Sequence, residues 1–158
     1  MKIKYKGVLH NNLDDAPFVG AILIAPTCVN FCKGCHNAHL RNNEDFPIYE
    51  IDGDNLLDMI KDNLLDEGII LSGLEWTEQP EQMLFLIEGA LERDMEVMLY
   101  THMKEEEFFK AFPRLKGCAI WIKFGDFDED KKTNDNIHCN IKLSTENQYI
   151  KFLGVDTL

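Results

Sequence analysis

The sequence holds no long apolar stretch. No run approaches the roughly 18 apolar residues a membrane-spanning helix requires, and the opening "MKIKYKGVLHNN" lacks the continuous apolar segment of a secretory signal. Positive charge is also scarce. The chain has 16 Lys and Arg against 28 Asp and Glu, a formal charge of −12. No basic cluster offsets this, which opposes phosphate binding and argues against nucleic acid as a partner. The 5 prolines are scattered, and repeats and low-complexity tracts are lacking, so nothing marks a linker. These absences lead us to expect one cytoplasmic domain over residues 1–158, with no membrane contact. Acidic runs such as "KEEEFF" and "FDEDKK" read as solvated faces.

What is present is an alternation of apolar runs and helix-like segments. Val19 to Ala25, Gly68 to Gly73, Met95 to Thr101 and Cys118 to Phe124 are nearly continuous in apolar residues, as expected of strands buried on both faces of a parallel sheet. Between them the spacing predicts three helices. Asp52 to Glu67 carries Leu57, Ile60 and Leu64 on one face, with Gly68 as its stop. Pro80 to Arg93 starts with proline in its first turn and aligns Leu84, Ile87 and Leu91. Lys104 to Phe112 places Phe108, Phe109 and Phe112 together and stops before Pro113. The predicted fold is α/β, an open, mostly parallel sheet with its ligand site at the strands' carboxyl ends. Residues 126–158 read as an exposed loop followed by two short strands, "HCNIKLS" and "QYIKFLG", forming a C-terminal hairpin.

Five cysteines in a reducing compartment argue for metal or redox chemistry rather than a disulfide framework. Three of them form Cys28-x3-Cys32-x2-Cys35, directly after the first predicted inner strand. Structural zinc normally takes four protein ligands, and no second pair accompanies this triplet. Cys118 and Cys139 read as small core hydrophobes. Three thiolates suit a cubane iron–sulfur cluster whose fourth iron binds a small molecule. Zinc completed by His36 or His39 is the alternative, a non-catalytic Cys/His metal-binding module. Gly34 beside Cys35 allows close backbone approach to a cluster or ligand.

This spacing, in this position, resembles the signature of the radical S-adenosylmethionine enzymes. The resemblance implies a partial (βα) barrel of the short type and a [4Fe–4S] cluster on Cys28, Cys32 and Cys35. S-adenosyl-L-methionine would chelate the remaining iron through its amino and carboxylate groups. In such enzymes the reduced cluster gives an electron to the sulfonium, and the resulting 5′-deoxyadenosyl radical abstracts a hydrogen atom. Beyond cluster and cofactor, no catalytic residue is implied.

"SGLEW", Ser72 to Trp76, is similar to that superfamily's Gly-Gly-Glu-Pro segment, which holds the methionine amino group, with Leu74 and Trp76 as departures. Gly73 and Glu75 keep the matching places, and Glu75 can pair with an ammonium. Without the resemblance it reads as a solvated acid near a helix start. Thr101 either bonds the ligand or caps the following helix. His102 reads as a surface residue, and the backbone of His36 is expected along the adenine side.

Within the superfamily the chain most resembles the short activases of glycyl-radical enzymes, those of anaerobic ribonucleotide reductases in particular. The likeness rests on the small size, the Gly-Cys-His-Asn run, and a tail containing Lys123, Gly125, Phe127, Leu143, Ser144, Asn147 and Gln148. It implies a large glycyl-radical catalytic subunit as substrate, an electron donor of flavodoxin or ferredoxin type, and an anaerobic setting. A small radical enzyme acting on a metabolite, of the deazapurine type, is the nearest alternative.

Overall fold

The computed structural model of this protein describes residues 1–29, 34, 35 and 37–154. Cys32 and His36, both named above, lie outside the described residues. In chain order the strands and helices are β1 (Lys2–Tyr5), β2 (Gly7–Asn12), β3 (Gly20–Ala25), β4 (Tyr49–Asp52), α1 (Gly53–Asp62), β5 (Gly68–Gly73), α2 (Pro80–Glu92), β6 (Glu96–Tyr100), α3 (Glu105–Ala111), β7 (Trp121–Phe124), β8 (Ile137–His138), β9 (Ile141–Lys142) and β10 (Tyr149–Phe152).

The main sheet has six strands in the order β10-β7-β6-β5-β3-β2. Its four inner strands are parallel neighbours, and the two edges are antiparallel. The architecture is α/β with a mostly parallel open sheet, and among the described residues no strand pairing closes it into a barrel.

Alternation along the inner strands sorts their side chains onto two faces. Ala21, Leu23, Ile69, Leu71, Val97, Leu99, Ile122 and Phe124 pack against Leu56, Leu57 and Ile60 of α1, Leu86, Ile87 and Ala90 of α2, and Phe108 of α3. Each fully buried aliphatic or aromatic side chain there contributes about 1.5–3 kcal/mol through removal from water. On the other face Ile22, Ile70 and Met98 gather around Ala16 and Phe18, from the segment between β2 and β3. This second cluster covers only part of its face, and the remainder opens as a cavity.

Several expectations are corrected. α1 ends at Asp62, because Asn63 turns the chain: its N–H donates to Ile60 O and its side-chain oxygen accepts from Leu65 N at 3.2 Å. Leu64 is therefore 96% exposed rather than on the core stripe. Gly68 opens β5 instead of stopping a helix, and a Cβ there would lie 2.1 Å from the Glu96 carbonyl oxygen.

The two short strands expected in the tail do not pair with each other as a hairpin. Cys139 and Asn140 both have positive φ, 51° and 65°, the backbone of a two-residue hairpin turn. The first predicted strand thus folds on itself as β8 and β9. The second is β10, which joins the main sheet beside β7. Of the two spare cysteines, Cys139 is exposed at that turn and is not a core residue, whereas Cys118 is half-buried ahead of β7, packed against the core with its thiol on Arg114 O.

β1, β2 and β4 had no counterpart in the sequence reading. β1 and β4 form a separate antiparallel ribbon in which Ile3 alone is buried. That leaves almost no apolar pattern to read. Among the described residues, no helix is long and apolar enough to cross a membrane.

Candidate cluster and cofactor site

The carboxyl ends of β3, β5, β6 and β7 converge on a cavity of about 430 Å³. Its wall brings together Cys28, Cys35, Ser72, Gly73, Glu75 and Thr101, all named from the sequence. Gly34 lies beside Cys35 with φ +74°, and a Cβ on it would come within 2.8 Å of the Glu129 carboxylate.

Three hydrogen bonds tie the cysteine loop to the segment after β5. Glu75 N donates to Thr27 O at 2.8 Å, Asn37 Nδ2 to Gly73 O at 3.0 Å, and Val29 N to Glu78 Oε2 at 2.6 Å. Gly73 makes the close approach possible. Its φ is +90°, and a Cβ would lie 2.6 Å from Ile24 Cγ2 and 2.9 Å from Ala25 N, so only glycine fits without displacing β3.

The two departures at Leu74 and Trp76 have different structural weight. Leu74 is half-buried against the helical core and also lines the cavity. Trp76 is fully buried, and its indole N–H is shared between Leu23 O at 3.0 Å and Ser72 O at 3.1 Å. It fastens the ends of β3 and β5 from below the cavity. A sequence pattern that expects proline gives no hint of this bond.

Glu75 is not the solvated acid of the simpler reading; it is 2% exposed. Its Oε2 accepts from Thr77 N, Thr77 Oγ1 and Thr101 Oγ1 at 3.2, 2.7 and 3.0 Å, and its Oε1 from His102 N at 2.8 Å. A carboxylate offers about four lone-pair sites, and these four donors occupy most of its capacity. Glu75 thereby caps the short turn Trp76–Glu78 and clamps the end of β6 to the end of β5.

Thr101 is buried, and its hydroxyl accepts from Met103 N at 3.1 Å. It does not cap α3, whose N-cap is Lys104. The His102 ring stands 3.8 Å from Glu75 Oε1. His39, the other zinc candidate, is exposed and packs edge-on against Phe46 at 5.5 Å.

The tail completes the wall. Lys123, Gly125, Phe127, Leu143, Ser144 and Gln148 all line the cavity. Gln148 Oε1 accepts from Ser144 N and Thr145 N at 3.1 and 3.2 Å, and Asn147 Nδ2 donates to Asp126 O at 3.0 Å. The loop after β7 is thus stitched to the strand-10 approach. Lys123 is buried, with Nζ donating to Gly125 O at 2.7 Å.

Tyr100 was not foreseen as a wall residue; alternation along β6 is the signal that could have placed it there. Its hydroxyl donates to Asp15 O at 2.6 Å. Burial, aided by the Asp15 charge, pushes that hydroxyl well above the ordinary tyrosine range.

Among the described residues, no three His, Cys, Asp or Glu side chains converge on a metal point, so a three-thiolate site requires Cys32. The donor chemistry fits an iron–sulfur group: Cys28 and Cys35 are half-buried thiols on one cavity wall, with hydrogen bonds at Thr27, Val29 and Asn37 holding the chain on either side of them.

No curated protein matches the chain. A family model described as a 4Fe-4S single cluster domain matches residues 19–151, well over half of the chain and all four inner strands. The chain belongs to this 4Fe-4S single cluster domain family and is an iron–sulfur protein.

Proposed function

We propose that this iron–sulfur protein is a radical S-adenosylmethionine enzyme that generates a glycyl radical on a large partner subunit of the anaerobic ribonucleotide reductase type. The observation that carries the reading is the union of two segments. The loop bearing Cys28 and Cys35 and the segment Ser72 to Glu75 line one cavity and are hydrogen-bonded to each other.

Cys28, Cys32 and Cys35 would hold the cluster, which supplies one electron to the sulfonium when reduced. The chain's own contribution is binding and orientation. The strand-end backbone from Ser72 to Leu74 would hold the methionine ammonium, while Glu75 holds that backbone against Thr101 and His102. Ile22 and Ile24 form an apolar side of the same wall. The partner's glycine-bearing loop reaches the cavity past Leu9, Phe127 and Leu143, and a flavodoxin or ferredoxin supplies the electron.

The test is to reconstitute the chain anaerobically, reduce it, and mix it with S-adenosylmethionine and a candidate reductase subunit. The expected result is the doublet of a glycyl radical in electron paramagnetic resonance. Formation of 5′-deoxyadenosine with no doublet on any such subunit would replace the protein substrate by a metabolite. Stoichiometric zinc with no iron uptake would reduce the site to a metal-binding module.

A further inference from the structure

Lys6 occupies the one residue between β1 and β2. It is 5% exposed, whereas Lys2 and Lys4 of the same segment are exposed. Its backbone N–H donates to Ile24 O at 2.8 Å, next to the last residue of β3. Its side chain runs to the far side of the cysteine loop, where Nζ donates to Leu40 O and, at 2.7 Å, to Asn43 Oδ1. Leu40 is the buried residue of the short turn Ala38–Arg41. One residue thereby joins the start of the loop to its end, and Cys28, Cys32 and Cys35 all lie between those two points.

The choice of side chain needs a reason. A buried ammonium carries a desolvation cost unless hydrogen bonds and opposing charge offset it, and burial lowers the pKa of this one. Both of its acceptors are neutral oxygens. They accept from two of its three N–H groups and carry no charge to oppose it. The ammonium holds two oxygens at the end of the loop together, which an apolar side chain of the same length could not do.

We propose that Lys6 is a positioning residue for the cysteine loop, fastening its end to its start so that Cys28 and Cys35 are held at the cavity wall before the cluster assembles. The proposal rests on the cluster reading, and its test separates the two. Lys6→Met keeps the length of the stem and removes the ammonium. Reconstituted Lys6→Met is expected to lose iron to a chelator about tenfold faster than the unaltered chain, the scale found when supports of metal ligands are removed. Lys6→Arg should restore most of that difference.

In the cluster-free protein, hydrogen exchange should speed up at the Leu40 and Asn42 amides and stay unchanged at Val97 and Leu99 of β6. Iron release and amide protection equal to those of the unaltered chain would overturn the proposal. If Lys6→Met does not fold, Asn43→Leu decides. Losing that single hydrogen bond should speed iron release by about threefold to tenfold, and no change would overturn the proposal. If the unaltered chain takes up no iron, the cluster reading fails, while amide exchange still decides whether Lys6 fastens the loop.

Discussion

The two faces of the main sheet are built from alternate residues of the same strands, and they meet opposite surroundings. On the helical face Leu71, Val97, Leu99 and Phe124 are sealed under α1, α2 and α3. On the other face Ile22 and Ile24 share their surface with Tyr100 and Lys123, and the strand ends open onto the cavity. The first face is committed to stability. The second tolerates buried polar groups because each has a partner, as Tyr100 does in the Asp15 carbonyl and Lys123 in the Gly125 carbonyl. A substitution should therefore act on folding from one face and on chemistry from the other.

The sharpest way to break that division is at the thiols. Cys28→Ala or Cys35→Ala should abolish the cluster, lowering iron from about four per chain to background while the melting temperature of the cluster-free protein stays the same. Cys118→Ala, outside the cavity, should keep its iron. Equal iron content in all three variants, measured after anaerobic reconstitution, would refute the ligand assignment.

On the helical face Phe108→Ala should cost about 3–5 kcal/mol of stability, seen by denaturant unfolding. Phe108 is fully buried and meets Phe112 and Phe124 at 5.1 and 5.6 Å between ring centres. The fraction that remains folded should still take up iron.

Glu75 stands where the two faces meet, so Glu75→Gln should show both effects. The amide cannot accept all of the bonds from Thr77, Thr101 and His102, which should cost about 1–3 kcal/mol. Binding of S-adenosylmethionine, measured by equilibrium dialysis, should weaken about tenfold as the ends of β5 and β6 loosen. Lost stability with unchanged binding would show that the clamp serves the fold alone.

The smallest effect lies outside the cavity lining. The Lys151 ammonium, at 2.6 Å, and then the Tyr149 hydroxyl hold the Glu105 carboxyl below its ordinary value of 4.5. A carboxyl held low stabilises the fold above its unfolded value, and that contribution fades as pH falls through the folded value. Glu105→Gln should therefore flatten the acid side of the stability profile by less than about 1 kcal/mol, leaving neutral-pH iron content unchanged.

The sequence made the inner strands and α2 readable because residues buried on both faces leave continuous apolar runs, as in Ile69 to Leu71. It made the ribbon of β1 and β4 unreadable because Ile3 is its lone buried residue. Leu64 misled because helical spacing continues past the point where the Asn63 side chain turns the backbone. β10 was foreseen as a strand, but its partner was not: the Cys139-Asn140 turn pairs β8 with β9 and leaves β10 to pair with β7.

At the site, the cysteine spacing, the polar strand ends and the resemblance to the radical S-adenosylmethionine enzymes together named Cys28, Cys35, Ser72, Gly73, Glu75 and Thr101, and the cavity collects them. The sequence could not give the task of Glu75, whose partners are 26 and 27 residues away at Thr101 and His102. Nor could it give Trp76, whose bond to Leu23 O crosses 53 residues.

The central claim is that the cysteine loop and the Ser72 to Glu75 segment form one site for cluster and S-adenosylmethionine. It is tested most directly by the electron paramagnetic resonance spectrum of the reduced, reconstituted protein with and without S-adenosylmethionine, together with analysis for 5′-deoxyadenosine. The account predicts a changed cluster spectrum on addition and release of 5′-deoxyadenosine. A cluster spectrum indifferent to S-adenosylmethionine, with no 5′-deoxyadenosine formed, would contradict it.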